Sequence, residues 1–161
     1  MKLVLFLSFL LAGMVHAVHA QSLDIGGIEL RLGQRADEAL RSLSSYQVKY
    51  IGSSWLVSQK IANQYQILGS FGATANTISF ISKSFDMEKN ERAAETYTQA
   101  YKELRRRGGA SCSTREVEYS DGLIRSFDTQ CGSYILSYFM PSETGDGIPV
   151  LGYISMIVRA K

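Results

Sequence analysis

One turn and two cysteines constrain this chain more than any other feature. Asp121-Gly122 is a preferred two-residue connection for a β-hairpin, because both residues tolerate positive φ. With that turn at the centre, Tyr119 faces Ile124 and Glu118 faces Arg125. Further out, Val117 faces Ser126, Arg115 faces Asp128 and Thr114 faces Thr129. Cys112 then falls opposite Cys131. Opposite charges, paired threonines and paired cysteines are what cross-strand neighbours reward, at about 0.2–1 kcal/mol for each non-covalent pair. A register shifted by one residue would lose all of them. Directly paired residues lie within disulfide reach, and closing a loop of about 20 residues gives about 3 kcal/mol in the chain-entropy model. Redox motifs usually place cysteines two apart. This wider spacing reads as a structural clamp.

The first twenty residues carry the marks of a secretory signal peptide. Lys2 supplies the positive start and Leu3 to Leu11 is an almost unbroken apolar run. Val18-His19-Ala20 precedes an expected cleavage point at Gln21. The run is too short for a membrane span, which takes about 20 apolar residues. Leu11-Ala12-Gly13 would lead into a lipid-bearing cysteine, but position 14 is Met, so no acylated anchor is expected. Residues 21–161 are then a single exported domain, periplasmic or secreted. Export places Cys112 and Cys131 in an oxidising compartment.

Both histidines, His16 and His19, lie in the segment expected to be removed. Without imidazole, a Ser-His-Asp triad or a Cys-His pair cannot be built, and catalytic zinc loses its usual ligand. No Ser-x-x-Lys spacing occurs and no glycine-rich phosphate loop is present. No metal or cofactor is implied. A net charge of +2 gives no pull on nucleic acid. The Arg105-Arg106-Arg107 run complements a helix C-terminus, and is shorter than a lipid-binding basic cluster. Carboxylates remain as a chemical alternative. Glu116, Glu118, Asp121 and Asp128 gather around the hairpin, and glycoside hydrolysis needs two carboxyls about 5–9.5 Å apart.

Along the domain, Ile28 to Leu32 reads as a strand. A helix follows Gly33, with Ala36, Ala39, Leu40 and Leu43 on one face and no good cap residue. Strand-like runs follow at Tyr46–Tyr50, Trp55–Val57, Tyr65–Ile67 and Ile78–Phe85. Gly52, Gly69, Gly72, Asn63 and Asn76 read as breaks between them. The second helix is Met87 to Arg107, with Asp86 as N-cap, Glu88 and Glu91 in its first turns and Gly108 as its stop. Its stripe is Ala93, Tyr97, Ala100, Tyr101 and Leu104. Four more runs follow: Ser111–Tyr119, Leu123–Thr129, Tyr134–Phe139 and Val150–Arg159, with a loop from Pro141 to Pro149. The pattern predicts an α+β domain with two helices packed on antiparallel sheet, built as a duplicated α-β-β-β-β unit.

Leu32-Gly33, then Asp37-Glu38-Ala39, then Leu43 follow a pattern of strand, glycine and helix. This stretch resembles small envelope proteins of the outer-membrane assembly lipoprotein family, and the β-lactamase-inhibitor-like fold grouped with them. The resemblance covers about a dozen residues. It implies a small scaffold that works by binding other proteins. The missing lipid-bearing cysteine departs from that family's pattern.

From Ala39 to Phe85 there is no acidic residue, and only Arg41, Lys49, Lys60 and Lys83 are basic. The stretch is rich in Ser, Gln and Asn and carries Tyr46, Tyr50, Trp55 and Tyr65. Tyrosine, tryptophan and small polar residues with little charge are the composition of many protein-binding faces, although strand aromatics also pack into sheet cores. The expected function is that of a non-catalytic protein-binding domain of the cell envelope, with those four aromatics at the contact. A carboxylate hydrolase acting on an envelope glycan, or a small-ligand binder using a helix–sheet crevice, is the alternative.

Overall fold

The computed structural model describes residues 21–85, 93–119, 124–140, 142–143, 149–150 and 152–160. The expected signal segment, the turn at Asp121-Gly122 and the helix start at Asp86 to Glu91 lie outside them. The described chain opens with a hairpin of β1 (Ser22–Ile25) and β2 (Ile28–Arg31). Gly26 and Gly27 form its turn, both at positive φ. A short helix, α1 (Ala36–Ser42), follows. Then come β3 (Gln47–Ile51), β4 (Ser54–Ile61), β5 (Gln64–Thr74) and β6 (Thr77–Phe85). The second helix is α2 (Ala93–Gly108). It leads into β7 (Cys112–Tyr119), β8 (Ile124–Cys131) and β9 (Tyr134–Phe139). A ribbon of β10 (Ser142–Glu143) and β11 (Pro149–Val150) precedes β12 (Tyr153–Arg159).

The long strands form one eight-stranded antiparallel sheet in the order β3-β4-β5-β6-β12-β9-β8-β7. The last strand of each meander, β6 and β12, pair at the centre. Period-two alternation then sorts every strand onto two faces. Val57, Phe71, Ile81, Met156, Ile154, Val158 and Leu136 point to one face and are fully buried. Against them pack Leu23, Ile25 and Leu30 of the hairpin, Ala36, Ala39 and Leu43 around α1, and Ala100 and Leu104 of α2. The hairpin and both helices therefore share one side of the sheet.

The α+β expectation is corrected here, because the fold is mostly β. Two physical causes account for the difference. First, α1 ends after seven residues, and a β-hairpin rather than a second long helix shares the layer with α2. Second, Gly69 and Gly72 do not end strands. β5 runs through both, as a strand of eleven residues. A side chain on Gly69 would collide with the Ser82 carbonyl, and one on Gly72 with the Phe80 ring. These glycines mark close approach within the sheet. The expected duplicated unit is also set aside. The halves are unequal, with helices of seven and sixteen residues and a ribbon inserted only in the second.

The clamped hairpin matches its expected register residue for residue, from Tyr119 opposite Ile124 to Cys112 opposite Cys131. The cysteines form a disulfide with their Cα atoms 4.3 Å apart, close to the spacing of a non-hydrogen-bonded antiparallel pair. Thr114 and Thr129 hydroxyls lie 3.0 Å apart, and the Tyr97 hydroxyl of α2 reaches Thr129 at 3.2 Å.

Four charges fasten the layer to the sheet. The Lys83 ammonium on β6 donates to Asp24 of β1 at 2.8 Å and to Glu103 of α2 at 3.2 Å. Arg107 donates to Glu103 at 2.9 Å and to the Ser22 carbonyl at 3.0 Å, and lies 3.7 Å from Asp24. Two cations and two anions thus neutralise one another beneath α2.

Candidate functional site

The second face of the sheet differs in kind from the first. Alternation places Lys49 and Ile51 of β3 there, with Leu56, Ser58 and Lys60 of β4. Tyr65, Ile67 and Ser70 of β5 follow, then Phe80, Ser82 and Ser84 of β6. Across the centre lie Tyr153, Ser155 and Ile157, then Ile135, Ser137 and Phe139. Ser84, Ser155, Ser137, Asp128 and Arg115 line up as one cross-strand row. The hairpin and both helices leave this face open. Small serines between large apolar neighbours let Ser155 and Ser137 sink to 4% and 3% exposure even so. Towards the β3 edge the apolar groups protrude: Ile51 and Ile67 are each 50% exposed and Tyr65 is 58% exposed.

The four aromatics expected at a contact do not converge. Tyr46 is half-buried, and its hydroxyl donates to the Gly26 carbonyl at 2.5 Å, pinning the β1–β2 turn. Trp55 stacks on Phe71 at 5.2 Å, and Tyr50 tilts against Trp55 at 4.9 Å. This row lies on the helix side, at the β3 edge, where Tyr50 is 58% exposed. Tyr65 sits on the opposite, open face. The site residues that sequence reasoning missed are Ile51 and Ile67. Ile51 sits between exposed Tyr50 and Gly52, and Ile67 between half-buried Gln66 and Leu68, so no local burial alternation marked them.

The carboxylates of the hairpin also part. Glu116 and Glu118 are exposed and share Arg125, at 3.8 and 3.4 Å. Asp128 lies on the other face, buried, accepting from the Ser126 hydroxyl at 3.0 Å. Asp121 is outside the described residues. Glu116 and Glu118 thus stay together on one exposed face with Arg125 between them, and Asp128 lies apart from both. Among the described residues no three side chains of metal-ligating type come together. No described helix is long and apolar enough to cross a membrane.

A crevice of about 600 Å³ opens at the C-terminal end of α2, between Gln21, Arg31, Arg106, Ser133 and Tyr134. It is wide and polar. Several of its groups already serve the fold: Gln21 donates to Ser133 at 2.6 Å, Tyr134 bonds Ser22, and Arg107 belongs to the charge cluster. Its lining is mainly polar, with Tyr134 as its aromatic member, whereas small-molecule pockets are lined mostly by apolar groups.

Comparison with family models, with curated proteins and with solved structures found no match. The functional reading therefore rests on the chain's own surface.

Proposed function

We propose that this chain is an exported, non-catalytic protein-binding domain of the cell envelope, periplasmic or secreted. It would engage another envelope or secreted protein through the β3–β5 part of its sheet. The observation that carries the reading is the open face near the β3 edge, where Ile51, Tyr65 and Ile67 protrude. Tyr65 and Ile67 are neighbours on one strand face, and Ile51 lies apart beside the β3–β4 turn. Exposed large apolar and aromatic groups with few charges are the composition of interface cores. The envelope-scaffold resemblance of Leu32 to Leu43 points the same way.

The test is co-purification from the host's own envelope fraction after mild crosslinking. A tagged chain is compared with the Ile51→Ser, Tyr65→Ala and Ile67→Ser variants. One partner in near-equal amount is expected with the parent chain. Each substitution should reduce that partner several-fold while the thermal midpoint stays unchanged, since exposed side chains contribute little to folding. Undiminished capture by all three variants would overturn the reading.

A further inference from the structure

The two edges of the sheet are built differently. β7, at one end, carries Arg115, Glu116 and Glu118, and charged side chains discourage another chain from pairing there. β3, at the other end, reads Gln-Val-Lys-Tyr-Ile, with one charge. The hairpin of β3 and β4 closes through the two-residue turn Gly52-Ser53, so Ile51 and Ser54 form its first hydrogen-bonded pair. Alternation then turns Lys49 and Gln47 towards β4. The amide and carbonyl groups of Val48 and Tyr50 point away from the sheet, with no strand beside them among the described residues.

An added strand there would meet different chemistry on each face. On the helix side lies the aromatic step of Tyr50, Trp55 and Phe71. On the open side lie Lys49 and Lys60, both exposed, with no anionic partner among the described residues. No acidic residue occurs from Ala39 to Phe85, so nothing in this stretch competes for those ammonium groups.

We propose that the β3 edge accepts an extended, acidic segment of a partner protein as a ninth strand. Apolar side chains of the segment would rest on Tyr50 and Trp55. The intervening carboxylates would face Lys49, with the Lys60 ammonium one strand further in on the same face. Main-chain bonds to Val48 and Tyr50 would hold it, the mode by which peptides augment an exposed sheet edge. This inference rests on the protein-binding reading and names the kind of partner.

The probes are three fluorescein-labelled ten-residue peptides. One alternates Val and Glu, one alternates Val and Lys, and one is the Val/Glu peptide N-methylated at every second amide. Anisotropy titrations use the exported chain with its disulfide intact. The Val/Glu peptide should bind several-fold tighter than the Val/Lys peptide, as one favourable against one unfavourable cross-strand charge pair at Lys49 implies, with Lys60 adding a longer-range pull. Added salt should shrink that preference, and Lys49→Glu with Lys60→Glu should reverse it. Binding should slow hydrogen exchange at the Val48 and Tyr50 amides.

Equal affinity for the Val/Glu and Val/Lys peptides would overturn the proposal. So would undiminished binding of the N-methylated peptide, since side chains alone would then hold it. If the free chain self-associates with concentration and protects the same amides, the edge belongs to a second copy, and the proposal also falls. Full partner capture by the Lys49→Glu, Lys60→Glu chain, with loss in the Tyr65→Ala chain, would sink this inference and leave the open-face reading standing.

Discussion

Asn76 shows how one residue can close a gap left by the local sequence. α1 starts at Arg35 with no side-chain cap of its own. The cap comes from the turn between β5 and β6 instead. The Ala36 amide donates to the Asn76 carbonyl at 2.9 Å, and the Asp37 amide to its Oδ1 at 3.2 Å. Asn76 also holds a φ of +62°, which asparagine tolerates better than most residues. Its two roles separate by substitution. Asn76→Ala loses the Oδ1 bond and the tolerance of positive φ while keeping the carbonyl bond to Ala36, and should cost about 1–2 kcal/mol, whereas Asn76→Gly keeps the backbone freedom and should cost less. Denaturant midpoints of the two variants check this, and equal losses would assign the whole effect to the cap. The same cluster has a pH signature. The Arg35 guanidinium holds the Asp37 carboxyl at about 2, from its usual 3.8, with a smaller contribution from Asn76. The folded state thus binds this proton less readily than the unfolded chain. Its stabilising effect is complete above the ordinary value, and fades as pH falls from about 4 towards about 2. In Arg35→Gln, the Asp37 titration followed by NMR should move back up.

At the scale of elements, the clamped hairpin was the most legible part of the chain, for a simple reason. Its constraints are local, and pairing, charge and cysteine placement agree on one register. Replacing Cys112 and Cys131 together by serine removes a cross-link that closes a loop of about 20 residues, and should cost about 3 kcal/mol. The variant should still fold, because the ladder and the packing of α2 do not depend on the bond. A loss well below 1 kcal/mol in chemical denaturation would mean that the reduced, unfolded chain already keeps the hairpin. Other elements were less readable. The hairpin of β1 and β2 went half unseen, although Gly26-Gly27 stands between Leu23-Asp24-Ile25 and Ile28-Glu29-Leu30. β5 was split in sequence because glycine signals both turns and close approach. Only the position of Phe80 and the Ser82 carbonyl tells which one applies.

For the whole molecule, the sequence showed a charge-poor aromatic stretch but not its geometry. Tyr46, Tyr50, Trp55 and Tyr65 are close in sequence, yet a period of two, the bulge between Val57 and Ser58, and the fold of β1 against Tyr46 distribute them over two faces. Non-local contact decides such placements. The charge cluster shows the same dependence, since Asp24, Lys83, Glu103 and Arg107 come from three separated segments that nothing local links. Its members are only partly sheltered, with side chains 16% to 34% exposed, so each pair is partly screened. Removing one cation still leaves two carboxylates sharing Arg107 alone. Lys83→Met should therefore destabilise the chain by about 1–2 kcal/mol. Adding Glu103→Gln should recover part of that loss, because the unbalanced anion goes with it. The distinctive consequence is spatial. Lys83 on β6 holds β1 on one side and α2 on the other, so Lys83→Met should speed hydrogen exchange in β1 and in α2 together while the clamped hairpin stays protected. Faster exchange in α2 alone would mean that β1 is held by its apolar contacts with the sheet, and that the cluster does not join the layer into one unit.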